Sequence, residues 1–229
     1  MKSQHRRPRA LSISAGGLSL NADLSLVPSA TGIVLFAHGS GSSRLSPRNQ
    51  FVASVLNEAG LSTLLLDLLT VEEEFLEEQG ASRRFDIALL ANRLVLATNW
   101  TTNYADTRAL QIGYFGASTG AAAALLAAAR IPSVIRAVVS RGGRPDLAGA
   151  ALPNVQSPTL LIVGGSDTQV LELNRQAKTQ LRCEAKLVVV PGATHLFEEP
   201  GTLEKVADLA CGWFERFLVD KNRQRAASR

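Results

Sequence analysis

The chain has 229 residues, 46% hydrophobic and 19% charged, which is enough apolar material for one sizeable core. No apolar run approaches the roughly 18 residues of a membrane span, and the N-terminal stretch lacks the apolar centre of a secretion signal, so a cytoplasmic protein without a membrane partner is expected. The net charge of +4 resides in two tails (Lys2, Arg6, Arg7 and Arg9; Lys221, Arg223, Arg225 and Arg229) around a negative body, and solvated basic ends of this kind argue against a nucleic-acid partner.

Taken in order, Ala10–Val27 alternates apolar and polar residues around Gly16-Gly17 and predicts a β-hairpin with Leu18–Val27 as its longer arm. Gly32–Ala37 is a continuous apolar strand that runs into His38-Gly39-Ser40-Gly41-Ser42-Ser43. Pro47 can start a helix, and Phe51, Val52, Val55, Leu56 and Ala59 keep helical spacing until Gly60 stops it. Leu61–Asp67 is a second buried strand. Leu68–Arg84, rich in glutamate, reads as an irregular acidic excursion. Phe85–Trp100 returns to helix with Ile87, Leu90, Leu94 and Ala97 on one face.

Leu110–Phe115 is a third buried strand, and Ala121–Arg130 is almost pure alanine and leucine, the best helix formers. Between them lies Gly116-Ala117-Ser118-Thr119-Gly120, a G-x-S-x-G. Five residues specify little in a chain with 18 glycines; the strand before and the helix after are what give the pattern meaning. A sharp strand-to-helix turn exposes the central serine, and the glycines leave room for the bend. The helix start aims free N–H groups at whatever sits on that serine.

Val134–Ser140 is the next strand, followed by Arg141-Gly142-Gly143-Arg144-Pro145-Asp146. Thr159–Gly164 leads into Gly165-Ser166-Asp167, and Leu171–Leu181 is a helix. Lys186–Val190 is the last strand, His195 lies in its exit loop, and Leu203–Leu218 is a closing amphipathic helix. Cys183 and Cys211 have neither metal nor redox spacing and read as small apolar residues. Residues 10–219 therefore form one domain between basic tails 1–9 and 220–229.

Six apolar strands separated by helices predict an α/β fold: a mostly parallel sheet with helices on both faces, extended at one edge by the antiparallel hairpin. In such sheets ligands sit beyond the carboxyl ends of the strands. His38–Ser42, Ser118, Asp167 and His195 each follow a strand directly, so all converge on that edge. Their order, Ser then Asp then His, is the α/β-hydrolase order. His5 lies in the tail and His38 precedes the nucleophile, which leaves His195 as the base. Asp167 is the orienting acid; its competing role is to cap the following helix, and the rival acid is Asp146. The oxyanion-hole donors are the backbone N–H of Thr119 and an N–H of the glycine-serine loop, assigned to Ser40. His38 itself reads as structural. A phosphate cradle in that loop would lack the Lys-Ser/Thr ending of a P-loop.

On Leu35–Arg44, Gly113–Gly120, Ile162–Asp167 and Thr194–Phe197, the chain resembles the α/β-hydrolase superfamily, within it the dienelactone-hydrolase-like branch of small, lidless enzymes. The resemblance implies an eight-stranded sheet, no lid domain and no cofactor or metal. It also implies Ser118 as nucleophile, His195 as base and Asp167 as acid. True dienelactone hydrolases use a cysteine nucleophile where this chain has Ser118, which opens the substrate to esters in general.

The 18 residues between Ser140 and Thr159 are too few for a cap domain, and aromatics make up 5% of the chain. A small, open site for small carboxylic esters, lactones or thioesters is expected. Arg141 could clamp a substrate carboxylate with its planar fork; alternatively Arg141 and Arg144 pair with Asp146 or with the glutamates near residues 72–78. Two other readings stay open: an acyltransferase using the same three residues, and a non-catalytic binding or regulatory protein on the same scaffold. The oligomeric state is not legible.

Overall fold

A computed structural model of the chain describes residues 8–15, 17–80 and 82–219; the two basic tails fall outside this range except for residues 8 and 9, as do Gly16 and Ala81. The antiparallel hairpin consists of β1 (Arg9–Ala15) and β2 (Leu18–Ser25). Six further strands follow, β3 (Gly32–Ala37), β4 (Ser62–Leu66), β5 (Gln111–Ala117), β6 (Ile135–Arg141), β7 (Thr159–Gly164) and β8 (Ala185–Val190). They form one eight-stranded sheet in the order β1-β2-β4-β3-β5-β6-β7-β8. β2 joins β4 antiparallel, and every pair from β4 to β8 is parallel.

Helices cover both faces, which is why the central strands are buried on both sides and read as unbroken apolar runs. In β3, Ile33, Leu35 and Ala37 point into one core, with α3 (Ile87–Asn103), α4 (Thr119–Arg130) and α5 (Thr168–Gln180). Val34 and Phe36 point into the other, with α1 (Pro47–Glu58) and α6 (Thr202–Leu218). The period of two along the strand sorts the side chains. α6 can lie close to the sheet because β5 offers Gly113 there; a Cβ on it would stand 2.8 Å from Phe214. α4 is buried along most of its length, and its alanines let it nest between the sheet, α3 and the Pro145–Asn154 segment.

The Leu68–Arg84 excursion is not irregular. It holds α2 (Val71–Glu78) and a 3₁₀ turn, Arg83–Phe85. Thr70 and Glu73 form a reciprocal capping box at its start, a T-x-x-E signal present in the sequence. The helix inverts the usual amphipathic pattern. Glu73 and Glu77 are buried, while Val71, Phe75 and Leu76 are exposed. Glu73 accepts from Arg93 Nη2 at 2.7 Å and from Arg83 Nη1 at 3.3 Å, and Glu77 pairs with Arg84. Charge pairing holds α2 down, so no apolar stripe announced it.

The segment between β6 and β7 carries no apolar periodicity that marks a helix or strand. It forms the short 3₁₀ stretch Pro145–Asn154, kinked at Gly149 and packed on α4 and α5. It is no lid. Among the described residues, no helix is long and apolar enough to cross a membrane.

Candidate active site

The site is built where β3, β5, β6, β7 and β8 end. Ser118 sits at φ +51° and ψ −122°, a conformation that costs a non-glycine residue about 1–3 kcal/mol unless its surroundings hold it. Those surroundings are specific. Its N–H donates to the Arg141 carbonyl at 3.2 Å, and its own carbonyl accepts from Ala121 and Arg144, both at 3.1 Å. The two motif glycines allow the crossing: a Cβ on Gly120 would lie 2.2 Å from the Ala37 carbonyl oxygen, and one on Gly116 2.5 Å from Ala121 Cα.

Asp167 stands just before α5, where an aspartate often caps, yet its side chain makes no capping bond. It accepts instead from His195 Nδ1 at 2.7 Å. A carboxylate can only accept, so this bond leaves His195 Nε2 as the free, basic nitrogen. Two backbone bonds bring the loops of Asp167 and His195 together: Gly165 N–H to the Val190 carbonyl and Ser166 N–H to the Ala193 carbonyl, at 2.8 and 2.9 Å. Asp146, the rival acid, is taken by Arg144 in a two-pronged pair at 2.8 and 2.9 Å.

His195 rides on a tight turn in which Phe197 N–H returns to the Thr194 carbonyl. Phe197 is buried at φ +56°, an uncommon state for so bulky a residue. The ring of His195 lies against Gly142, whose Cβ, if present, would be 3.6 Å from Cε1. Ser118 and His195 therefore flank the same Arg141-Gly142 peptide, one bonded to its first residue and the other packed on its second.

The glycine-serine loop after β3 passes directly over the elbow, so that a Cβ on Gly39 would stand 3.0 Å from Ser118 Cβ. His38 is buried and clasped at both nitrogens. Nδ1–H donates to the Gly39 carbonyl at 2.9 Å, and Nε2 accepts the Leu68 N–H at 3.1 Å. Burial pushes its pKa below the usual 6.5, so it is a neutral brace, as its place in the sequence suggested. Asp67 ties down the far side of the loop, accepting the Arg44 N–H at 2.8 Å and pairing with its guanidinium. Thr119, first in α4, has an N–H with no helical carbonyl to reach. The Ser40 N–H, the other expected oxyanion donor, is bonded to Thr119 Oγ1 at 2.9 Å.

Arg141 is 7% exposed. Its guanidinium reaches the Leu196 carbonyl at 3.5 Å and lies over the Phe197 ring. Among the described residues no carboxylate pairs with it, and its Nε has no partner. Burial, reinforced by nearby Arg48, pushes its pKa down to about 10. Arg144 makes the expected pairing with Asp146, whereas Arg141 makes none and Glu77 of α2 is paired by Arg84.

Leu69, Glu74 and Arg84 lie beside the glycine-serine loop although no site motif in the sequence includes them. With Leu90 they line a recess against the His38–Ser42 loop. Burial raises the Glu74 carboxyl pKa above the usual carboxylate value, opposed by the Arg84 charge. The capping box was the one sequence signal that could have placed them. Among the described residues, no group of three or more His, Cys, Asp or Glu side chains is gathered as a metal site.

The model of the Dienelactone hydrolase family matches residues 26–219. Two proteins from strains of Mycobacterium tuberculosis, each named "Putative phosphoribosyl transferase", are 57% identical over 208 residues; the match covers 91% of this chain and 46% of theirs. The chain thus spans about half the length of these curated relatives. A crystal structure of a dienelactone hydrolase from Anabaena variabilis aligns with TM-score 0.91 at 57% identity, covering 93% of this chain and all of that one. A lidless serine hydrolase from Xanthomonas campestris aligns with TM-score 0.72 at 18% identity, over 94% of this chain and 97% of that one, a likeness of fold. The shared architecture is the eight-stranded α/β-hydrolase fold without a lid.

Proposed function

The chain belongs to the dienelactone hydrolase family, and on that premise we propose that it is a serine hydrolase of small carboxylic esters. The observation that carries this reading is the 2.7 Å bond between His195 and Asp167, with Ser118 held in a strained turn on the Arg141-Gly142 peptide against which the His195 ring packs. The family and the hydrolase neighbours support a hydrolase; the ester substrate is read from the site itself.

In the proposed mechanism, Ser118 Oγ attacks the ester carbonyl carbon while His195 Nε2 takes its proton. Asp167 keeps the imidazole in the tautomer that can accept and stabilises the imidazolium. The oxygen that gains negative charge is held by the backbone N–H groups of Thr119 and Ser40, at the positive end of α4. His195 returns the proton to the departing alkoxide as the tetrahedral intermediate collapses to an acyl-enzyme. Water, deprotonated by His195, then releases the acid and restores Ser118.

The short segment between β6 and β7 and the absence of a lid suit small, soluble esters, lactones or thioesters. The transferase in the mycobacterial relatives' name belongs to chains of about twice this length, and the residues described here bear on acyl chemistry. A fluorophosphonate probe tests the reading: Ser118 is labelled in the native chain and Ser118→Ala is not. No labelling of the native chain, or labelling that survives the substitution, overturns it.

A further inference from the structure

If Ser118 is the nucleophile, as proposed above, its oxyanion hole combines two donors from separate elements: Thr119 N–H on α4 and Ser40 N–H on the loop after β3. The Ser40 N–H is held at 2.9 Å by the side chain of Thr119, the residue that supplies the other donor. We propose that the Thr119 hydroxyl is a positioning group of the oxyanion hole, which holds the Ser40 N–H in the resting protein and yields it to the oxyanion during attack.

The side chain is free for this task. A threonine inside a helix bonds the carbonyl four residues back, but Thr119 opens α4 and the residue four back, Phe115, lies in β5. Thr119 is 5% exposed and Ser40 half-buried, so the Thr119 hydroxyl reaches the Ser40 N–H from the buried side and gives that donor a fixed partner in the resting protein. The clasp at His38 and the Arg44–Asp67 pair hold the two ends of the loop; the Thr119 hydroxyl holds its middle. It is a neutral acceptor. A charged oxyanion is a hydrogen-bond partner roughly twice as strong, whereas an uncharged ester carbonyl is not. Exchange of the Ser40 N–H from Thr119 to substrate therefore favours the transition state over the bound ester, the condition for raising kcat. Once released, the hydroxyl proton can itself point at the oxyanion.

The test compares Thr119→Val, which keeps the shape, with Thr119→Ser, which keeps the hydroxyl, using p-nitrophenyl acetate and an ¹⁵N-labelled full chain. For Thr119→Val, kcat is expected to fall about 10- to 100-fold with KM within about twofold, and Thr119→Ser to stay within about threefold of the native chain. The Ser40 amide should lose hydrogen-exchange protection in the valine variant alone. Addition of phenylboronic acid, a tetrahedral mimic, should shift that amide in the native and serine proteins more than in the valine protein. Thr119→Ala serves if the valine variant does not fold. Unchanged kcat in the valine variant, or equal losses in valine and serine variants, overturns the proposal. If the native chain hydrolyses no ester, the ester reading fails separately; the Ser40 amide response to boronic acid then decides, and equal behaviour in all variants overturns the role of Thr119.

Discussion

The Asp167 carboxylate turns away from the helix it precedes and accepts the Nδ1–H of His195 at 2.7 Å. An aspartate that gives up its capping position for an imidazole is placed to hold that ring's tautomer. Asp167→Asn is expected to lower kcat by about four orders of magnitude with the fold intact, because the amide can turn its N–H toward Nδ1 and favour the wrong tautomer. Steady-state kinetics with a circular-dichroism melt check this; a loss of under tenfold would remove Asp167 from the mechanism.

The elbow makes a prediction about stability that is independent of chemistry. In Gly120→Ala the new methyl carbon meets the Ala37 carbonyl oxygen at 2.2 Å, and neither backbone can retreat without separating β3 from α4. The variant should lose about 3 kcal/mol or more, at the upper end for overpacking, which is a fall in Tm of roughly 6–12 °C for a chain of this size. Gly149→Ala, with no neighbouring atom within 4 Å, meets no such clash and carries only the strain of its positive φ.

Arg141 links the two halves of the site, its carbonyl bonded to Ser118 N–H and its guanidinium set against the turn that carries His195. Arg141→Met should lower kcat about tenfold or more, in line with the roughly hundredfold cost of a 1 Å misplacement, and equally for neutral and carboxylate-bearing esters. A rise in KM restricted to the anionic ester would instead put a substrate carboxylate on the guanidinium.

His38 predicts a pH dependence of folding. Its folded pKa is depressed by burial below the ordinary 6.5, so the folded state binds its proton less readily than the unfolded state. Stability is therefore full above pH 6.5 and is lost as the pH falls from there through the folded value. Urea unfolding of the native chain should show this slope. In His38→Gln the slope should be smaller, with lower stability at pH 8 because the bonds to Gly39 and Leu68 are disturbed.

The buried ion pair of α2 gives a further test. Glu73→Ala leaves Arg93, itself 6% exposed, without its carboxylate, and removal of one partner of a buried pair costs about 3–5 kcal/mol. Replacing both, as in Glu73→Leu with Arg93→Met, should recover most of that loss. A double variant no more stable than the single one would show that the pairing does not hold α2.

The order of strands and helices was legible because both faces of the sheet are covered. Runs such as Gly32–Ala37 and Leu160–Gly164 have no polar member, and the alanine-rich Ala121–Arg130 favours helix alone. α2 was not legible, because its inward face carries Glu73 and Glu77 and its outward face Val71 and Phe75; a reading based on apolar periodicity looks for the reverse. α4 and α5 begin before the expected Ala121 and Leu171 because Thr119 and Thr168 are polar and caps carry no apolar signal. By contrast, α3 begins after the expected Phe85, at Ile87, because Phe85 belongs to the preceding 3₁₀ turn.

By itself the sequence determined that Ser118, Asp167 and His195 leave strands at one edge of the sheet, since each follows an apolar run and parallel strands end together. The tertiary structure alone decided which side chains meet there. It gave Asp167 to His195 and Asp146 to Arg144, buried Arg141 under the Leu196-Phe197 turn, and set Thr119 Oγ1 on the Ser40 N–H. The reason is physical: the location of a strand end follows from local pattern and connectivity, whereas a hydrogen bond of 2.7 Å between residues 28 apart depends on the packed positions of two loops, which no local propensity encodes.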